Sequence, residues 1–72
     1  MMSLERFAER LKELMGDNSD TIYTLGEAMH LSPSTISRYI NARIEPKRST
    51  IEALSRHYSV NPARLIGKSP RN

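Results

Sequence analysis

Apolar residues recur at intervals of three and four through most of the chain, and polar clusters interrupt them. Leu4, Phe7, Ala8, Leu11, Leu14 and Met15 form the first such stripe, with Glu5, Glu9, Arg10, Lys12 and Glu13 between them. That spacing lines one face of a helix and predicts one from about residue 4. Ser3 can accept its first free amide, Glu5 sits near its positive end, and Gly16 suits its exit. Gly16-Asp17-Asn18-Ser19-Asp20 then reads as a polar turn, with Ser19 or Asp20 available to cap a second helix. Ile22, Leu25 and Met29 predict that helix to be short, and Gly26 within it leaves room for a close neighbour.

Met29-His30-Leu31-Ser32-Pro33 supplies a corner. Leu31 is apolar enough to plug the angle, Ser32 is a good N-cap, and Pro33 fits the first helical position because no amide is needed there. The third helix, 33–40, has apolar contacts only at Ile36, Ile40 and one face of Tyr39. After a loop over Asn41-Ala42-Arg43-Ile44-Glu45-Pro46, a fourth helix opens at Pro46-Lys47-Arg48-Ser49. Ile51, Leu54 and Tyr58 form its inner face, with Ala53 beside them. Asn61-Pro62 repeats the cap-and-proline device, and a last short helix carries Leu65 and Ile66 and stops at Gly67. The pattern predicts five helices and no strand, an all-α domain.

Within this frame the third helix stands apart. Ser34, Thr35, Ser37 and Arg38 cover the side away from Ile36 and Ile40. A helix that buries little and offers short hydrogen-bonding groups and an arginine suits the major groove of DNA. The charge distribution points the same way. Residues 1–15 balance, and 16–31 hold three acids and no base. Residues 32–48 set Arg38, Arg43, Lys47 and Arg48 against Glu45 alone, and 49–72 add a further +3 to reach the net charge of +3. The excess begins on the third helix and continues into the following loop, as a phosphate-facing patch requires.

The run from Thr21 to Ile66 resembles the phage-repressor or xenobiotic-response-element helix-turn-helix family. The resemblance rests on Leu25, Gly26, Leu31-Ser32, Ser34-Thr35-Ile36-Ser37, Pro46, Thr50-Ile51, Leu54, Val60-Asn61-Pro62 and Leu65-Ile66. It implies a compact five-helix, lambda-repressor-like DNA-binding domain over residues 1–67. Residues 68–72 are then a polar tail or the start of a linker. It further implies transcriptional regulation, repression by family analogy, and a homodimer on a palindromic operator with recognition helices about 34–36 Å apart. The last helix and tail, with Leu65 and Ile66, are where such an interface is expected unless the core claims both. The chain departs from the family where Asp20 replaces an apolar residue, Ile22 a polar one, and Pro33 a glutamine or similar group. His30 and Ala42 stand where glycine is common, at positions expected to be left-handed.

On this reading Pro33, Ser34, Ser37 and Arg38 face the bases, and Arg38 is the residue able to grip guanine O6 and N7. Phosphate contacts fall to Thr21 and the backbone at Ile22 on one side, and to Asn41, Arg43, Lys47 and Arg48 on the other, with Thr35 assisting. The alternative is a helix-turn-helix protein-interaction module, which would place apolar or aromatic anchors on the third helix. RNA recognition would call for stacking aromatics, and the chain has one Phe and three Tyr.

Size and composition add boundaries. At 72 residues the chain is one domain or part of one, burying only about 60% of its unfolded surface. Without cysteine it has no disulfide or thiolate metal site, in keeping with a reducing cytoplasm. His30 and His57 lie in different elements, no glycine-rich phosphate loop is present, and Ser32 is explained as a cap. Neither enzyme, metal nor cofactor is expected. No apolar run reaches the ~20 residues of a membrane span.

Overall fold

The structure, a computed structural model, describes residues 3–66. These form α1 (Leu4–Asp17), α2 (Ile22–Met29), α3 (Pro33–Ile40), α4 (Arg48–Tyr58) and α5 (Pro62–Leu65). The expected helix stop at Gly67 and the tail 68–72 lie outside the described residues. α2 and α3 pack on each other, α1 lies across α3 and α5, and α4 packs on α5. Phe7, Leu11, Leu25, Ile36, Leu54 and Leu65 are fully buried where these helices meet. Phe7 and Tyr39 pack edge to face with ring centres 5.8 Å apart. Tyr39 is thus a core residue, and the apolar half of α3 is spent on holding the helix down. Leu31, half-buried, packs against the same core from the corner.

The helix starts follow the sequence closely. Ser3 accepts from the amide of Arg6, Ser32 from Thr35 and Asn61 from Ala63, each by its side-chain oxygen. Two starts differ from expectation. α2 is capped by Thr21 rather than Ser19 or Asp20, because Thr21 and Thr24 form a reciprocal box. Thr21 Oγ1 accepts from the amides of Tyr23 and Thr24, and the Thr21 amide donates to Thr24 Oγ1 at 2.8 Å. Backbone amides on both sides of the helix start are satisfied at once. α4 begins at Arg48 rather than at Pro46, with Lys47 as an N-cap that makes no side-chain bond. Pro46 is buried in the preceding loop and anchors it.

The helix exits share one device. After α1, α2, α3 and α4 the residues Ser19, His30, Ala42 and Ser59 take left-handed backbone, with φ of 57°, 59°, 56° and 56°. Each closes a pair of bonds back to its helix. At α2, His30 donates its amide to Glu27 O at 3.3 Å and Leu31 donates to Gly26 O at 2.8 Å. At α3, Ala42 donates to Tyr39 O and Arg43 to Arg38 O, at 3.2 and 2.9 Å. These are Schellman closures, usually built on glycine. The left-handed positions expected at His30 and Ala42 are present. Gly16 does not end α1, which runs on to Asp17 and leaves through Ser19.

Gly26 is required for a different reason. A Cβ there would stand 2.6 Å from the carbonyl oxygen of Leu31 and 3.5 Å from Pro33 N. The corner backbone lies directly on the helix, and its missing side chain sets the approach of α3 to α2.

Candidate nucleic-acid interface

Ser34, Ser37, Arg38 and Asn41 stand at i, i+3, i+4 and i+7, so they share one face at the edge of α3. Ser34, Arg38 and Asn41 are exposed, and Ser37 and Pro33 are half-buried. Ile36 and Tyr39 are buried on the opposite side. The sequence-derived base-contact set is therefore brought together on the open side of α3, with Pro33 at its margin.

The hydroxyls at the helix start are already linked. Ser32 Oγ lies 2.9 Å from Thr35 Oγ1 and 3.2 Å from Ser34 Oγ, while it accepts from the Thr35 amide at 3.2 Å. Thr35 is half-buried within this network.

The Schellman turn at Ala42 folds the following loop back over the end of α3, which puts the backbone of Arg43 against that of Arg38. Arg38, Arg43 and Lys47 are exposed and, among the described residues, form no ion pair. Arg48 is exposed and meets Glu52 at 3.6 Å, one helical turn on. Such an exposed pair is weak, so Arg48 can exchange it for another anion.

At the start of α2 the Thr21–Thr24 box already employs the amides of Tyr23 and Thr24, and Thr21 O takes that of Leu25 at 2.9 Å. The amide of Ile22 remains for an incoming group, and its side chain is half-buried.

Three functional-looking features were missed from sequence. Tyr23, on α2, is 69% exposed. The Asn41 side-chain amide donates to Ser37 O at 2.8 Å and to Ser37 Oγ at 3.3 Å. The third is a polar clasp at Asp20. Its Oδ1 accepts from Thr24 Oγ1 at 2.7 Å, and its Oδ2 accepts from the Tyr58 hydroxyl at 2.8 Å and lies 3.4 Å from His57 Nε2. Burial raises the Asp20 pKa, but hydrogen bonds from Thr24, Tyr58 and His57, with the charge of His57, outweigh it and hold the carboxyl below 3.8. Burial, and the Asp20 carboxylate it faces, push the Tyr58 hydroxyl well above its ordinary value. The signal available in sequence was the acid at a usually apolar position.

Residues 6–65 match the family model of the helix-turn-helix domain, and the chain belongs to that family. No curated protein matches it. Among solved structures it is similar to the SOS-response transcriptional repressor LexA from Eubacterium rectale, with a TM-score of 0.85 at 20% identity. That match covers 96% of this chain and 73% of the other. It is also similar to a transcriptional regulator from Listeria innocua, with a TM-score of 0.82 at 19% identity over 88% of this chain. The chain spans 59% of that regulator. At these identities the likeness is one of fold, and it is the five-helix, repressor-like fold that the sequence resemblance implied. Among the described residues no helix is long and apolar enough to cross a membrane, and no group of three acids or histidines is placed to hold a metal.

Proposed function

We propose that this chain is a sequence-specific double-stranded DNA-binding regulator of transcription, acting as a repressor in the cytoplasm and not as an enzyme. The observation that carries the reading is the open face of Ser34, Ser37, Arg38 and Asn41, with Arg38, Arg43 and Lys47 exposed and in no ion pair among the described residues. α3 enters the major groove. Arg38 grips a guanine, Ser34 and Ser37 complete the base contacts, and Pro33 offers an apolar edge to a thymine methyl. Arg43, Lys47 and Arg48 hold phosphate on one flank, with Thr35. Thr21 and the Ile22 amide hold it on the other, through a narrower contact than an uncapped helix start would give.

The chain works as a homodimer on a palindromic operator. Leu65 is fully buried and unavailable to an interface. Half-buried Ile66 lines a groove of about 380 Å³ with Pro46, Ile51 and Pro62, which a second copy would cover. Exposed Tyr23 favours a second reading, a protein-contact surface, but it stands on α2 and leaves α3 for DNA.

Selection of duplexes from a random pool, with wild type and Arg38→Ala in parallel, tests the proposal. An enriched motif with a guanine preference that vanishes in the variant is the expected result. No enrichment with either protein would overturn it.

A further inference from the structure

Resting on the DNA-binding reading above, we propose that Tyr58 is a positioning residue: through Asp20 it sets the phosphate grip at the start of α2 without touching DNA. That helix start still offers two neighbouring donors. Thr21 Oγ1 accepts from the amides of Tyr23 and Thr24, which occupies both its lone pairs. Among the described residues its own hydrogen has no acceptor, and the amide of Ile22 is likewise left over by the capping box. A hydroxyl and an amide side by side suit a phosphate oxygen.

Both donors depend on the direction of one hydroxyl. Thr24 Oγ1 has a single hydrogen and two acceptors in range, Asp20 Oδ1 at 2.7 Å and Thr21 O at 3.3 Å. The shorter bond, to a carboxylate, is the stronger. Asp20 therefore draws the hydrogen to itself and leaves Thr24 Oγ1 a lone pair for the Thr21 amide, which closes the box at 2.8 Å. Asp20 is held in turn from α4. Its other oxygen accepts from the Tyr58 hydroxyl at 2.8 Å, and its side chain is only 15% exposed. His57 Nε2, at 3.4 Å, lies beyond the usual length of such a bond. Because α2 packs mainly on α3, the Tyr58 bond adds a tie from the start of α2 to the far end of α4. Lys47 and Arg48, on the other phosphate flank, stand at the near end of that helix. One helix of eleven residues, about 16 Å long, thus spaces the two grips. Without the Tyr58 hydroxyl the carboxylate is free to turn outward, and the Thr24 hydroxyl and Thr21 lose their fixed direction with it.

A scan of the selected operator, with one phosphate at a time replaced by an uncharged methylphosphonate, tests this. Kd is measured by fluorescence anisotropy for wild type, Thr21→Ala, Lys47→Ala and Tyr58→Phe, after circular dichroism has shown each variant folded. Thr21→Ala marks the phosphates served by α2, and Lys47→Ala those served by α4, as the ones whose replacement no longer matters. Tyr58→Phe keeps the ring in the core and should raise Kd about 2- to 10-fold on every duplex alike. It should lose sensitivity at the phosphates that Thr21→Ala marks and keep it at those that Lys47→Ala marks. An equal loss of sensitivity at all phosphates would show general loosening and overturn the assignment while leaving the DNA-binding reading in place. So would a Tyr58→Phe protein with the Kd and profile of wild type, or a scan in which Thr21→Ala marks no phosphate. Should Tyr58→Phe fail the folding check, Asp20→Asn answers in its place. Its one remaining acceptor oxygen can serve Tyr58 or Thr24 but not both, and the same change of profile is expected. Absence of any selected operator would sink both readings.

Discussion

Two opposite substitutions should each stabilise this domain, because glycine and alanine sit in each other's preferred surroundings. Gly16 lies inside the last turn of α1, and a Cβ there would meet nothing within 4 Å. Ala42 occupies a left-handed position with φ 56°. Left-handed backbone costs an L-residue about 1–2 kcal/mol. Ala42→Gly removes that cost but gives back about 0.4–1 kcal/mol through the looser unfolded chain. Part of one methyl's burial is also lost, since Ala42 is half-buried, at most ~0.8 kcal/mol if it were complete. The net is a gain of about 0.5 kcal/mol. Gly16→Ala gains about 0.5–1 kcal/mol from helix propensity and reduced unfolded-state freedom. For a domain of this size each kcal/mol moves Tm by about 4–8 °C. By circular dichroism Ala42→Gly should therefore melt about 2–4 °C higher and Gly16→Ala about 2–8 °C higher, and the double variant should show their sum because the sites are in different elements. Ala42→Ser, which keeps a Cβ, should bring no gain. If Ala42→Gly lowers the midpoint while Gly16→Ala raises it, the left-handed residue is not strained and the reasoning about all four helix exits fails.

Gly26→Ala should act in the opposite direction. Its Cβ would meet the Leu31 carbonyl at 2.6 Å, a backbone clash costing about 1–3 kcal/mol, visible as a lower urea midpoint. The Asp20 clasp makes stability depend on pH. Its carboxyl is lowered in the fold, so the stabilisation is fully present above the ordinary value of 3.8 and is lost as pH falls through the folded value. Urea midpoints followed from pH 6 down should fall more gently for Asp20→Asn than for wild type. Equal slopes would remove the clasp from the account. At the alkaline end the raised Tyr58 pKa predicts stability that falls once pH exceeds about 10, and Tyr58→Phe should remove that limb. Lys47→Ala should weaken binding to every duplex alike and reduce the salt slope by about one, whereas Arg38→Ala should change preference at one base. Identical behaviour of the two variants would dissolve the division between phosphate and base contacts.

What could be read from the chain was what is periodic or local. The stripe from Leu4 to Met15 and the caps at Ser32 and Asn61 ahead of prolines depend on residues within one or two turns, whereas the left-handed His30 and Ala42 were implied by the family resemblance. What could not be read was a choice between near-equivalents or a meeting at long range. Ser19, Asp20 and Thr21 can all cap a helix. Thr21 prevailed because Thr24 returned the bond, which left Asp20 free for Tyr58. Gly16 has the residue type of a helix exit, but the closing bonds from Ser19 and Asp20 lie one turn further along. In the candidate site, exposure and grouping followed from the helical period. The direction of the Asn41 amide did not, because the same side chain can turn to its own helix or to solvent.

The Asp20–Tyr58 bond joins residues 38 apart in sequence, and the segment between them holds α2, α3 and nearly all of α4. One carboxylate thus clasps the two ends of the proposed reading unit. A contact that closes so long a loop bears its entropic cost before any reward arrives, so it forms late, after the local turns are in place. Its contribution then falls on the rate of opening. Losing it would shorten the lifetime of the folded domain and leave the speed of its formation almost unchanged, so a regulator weakened at Asp20 would fold on time and come apart early.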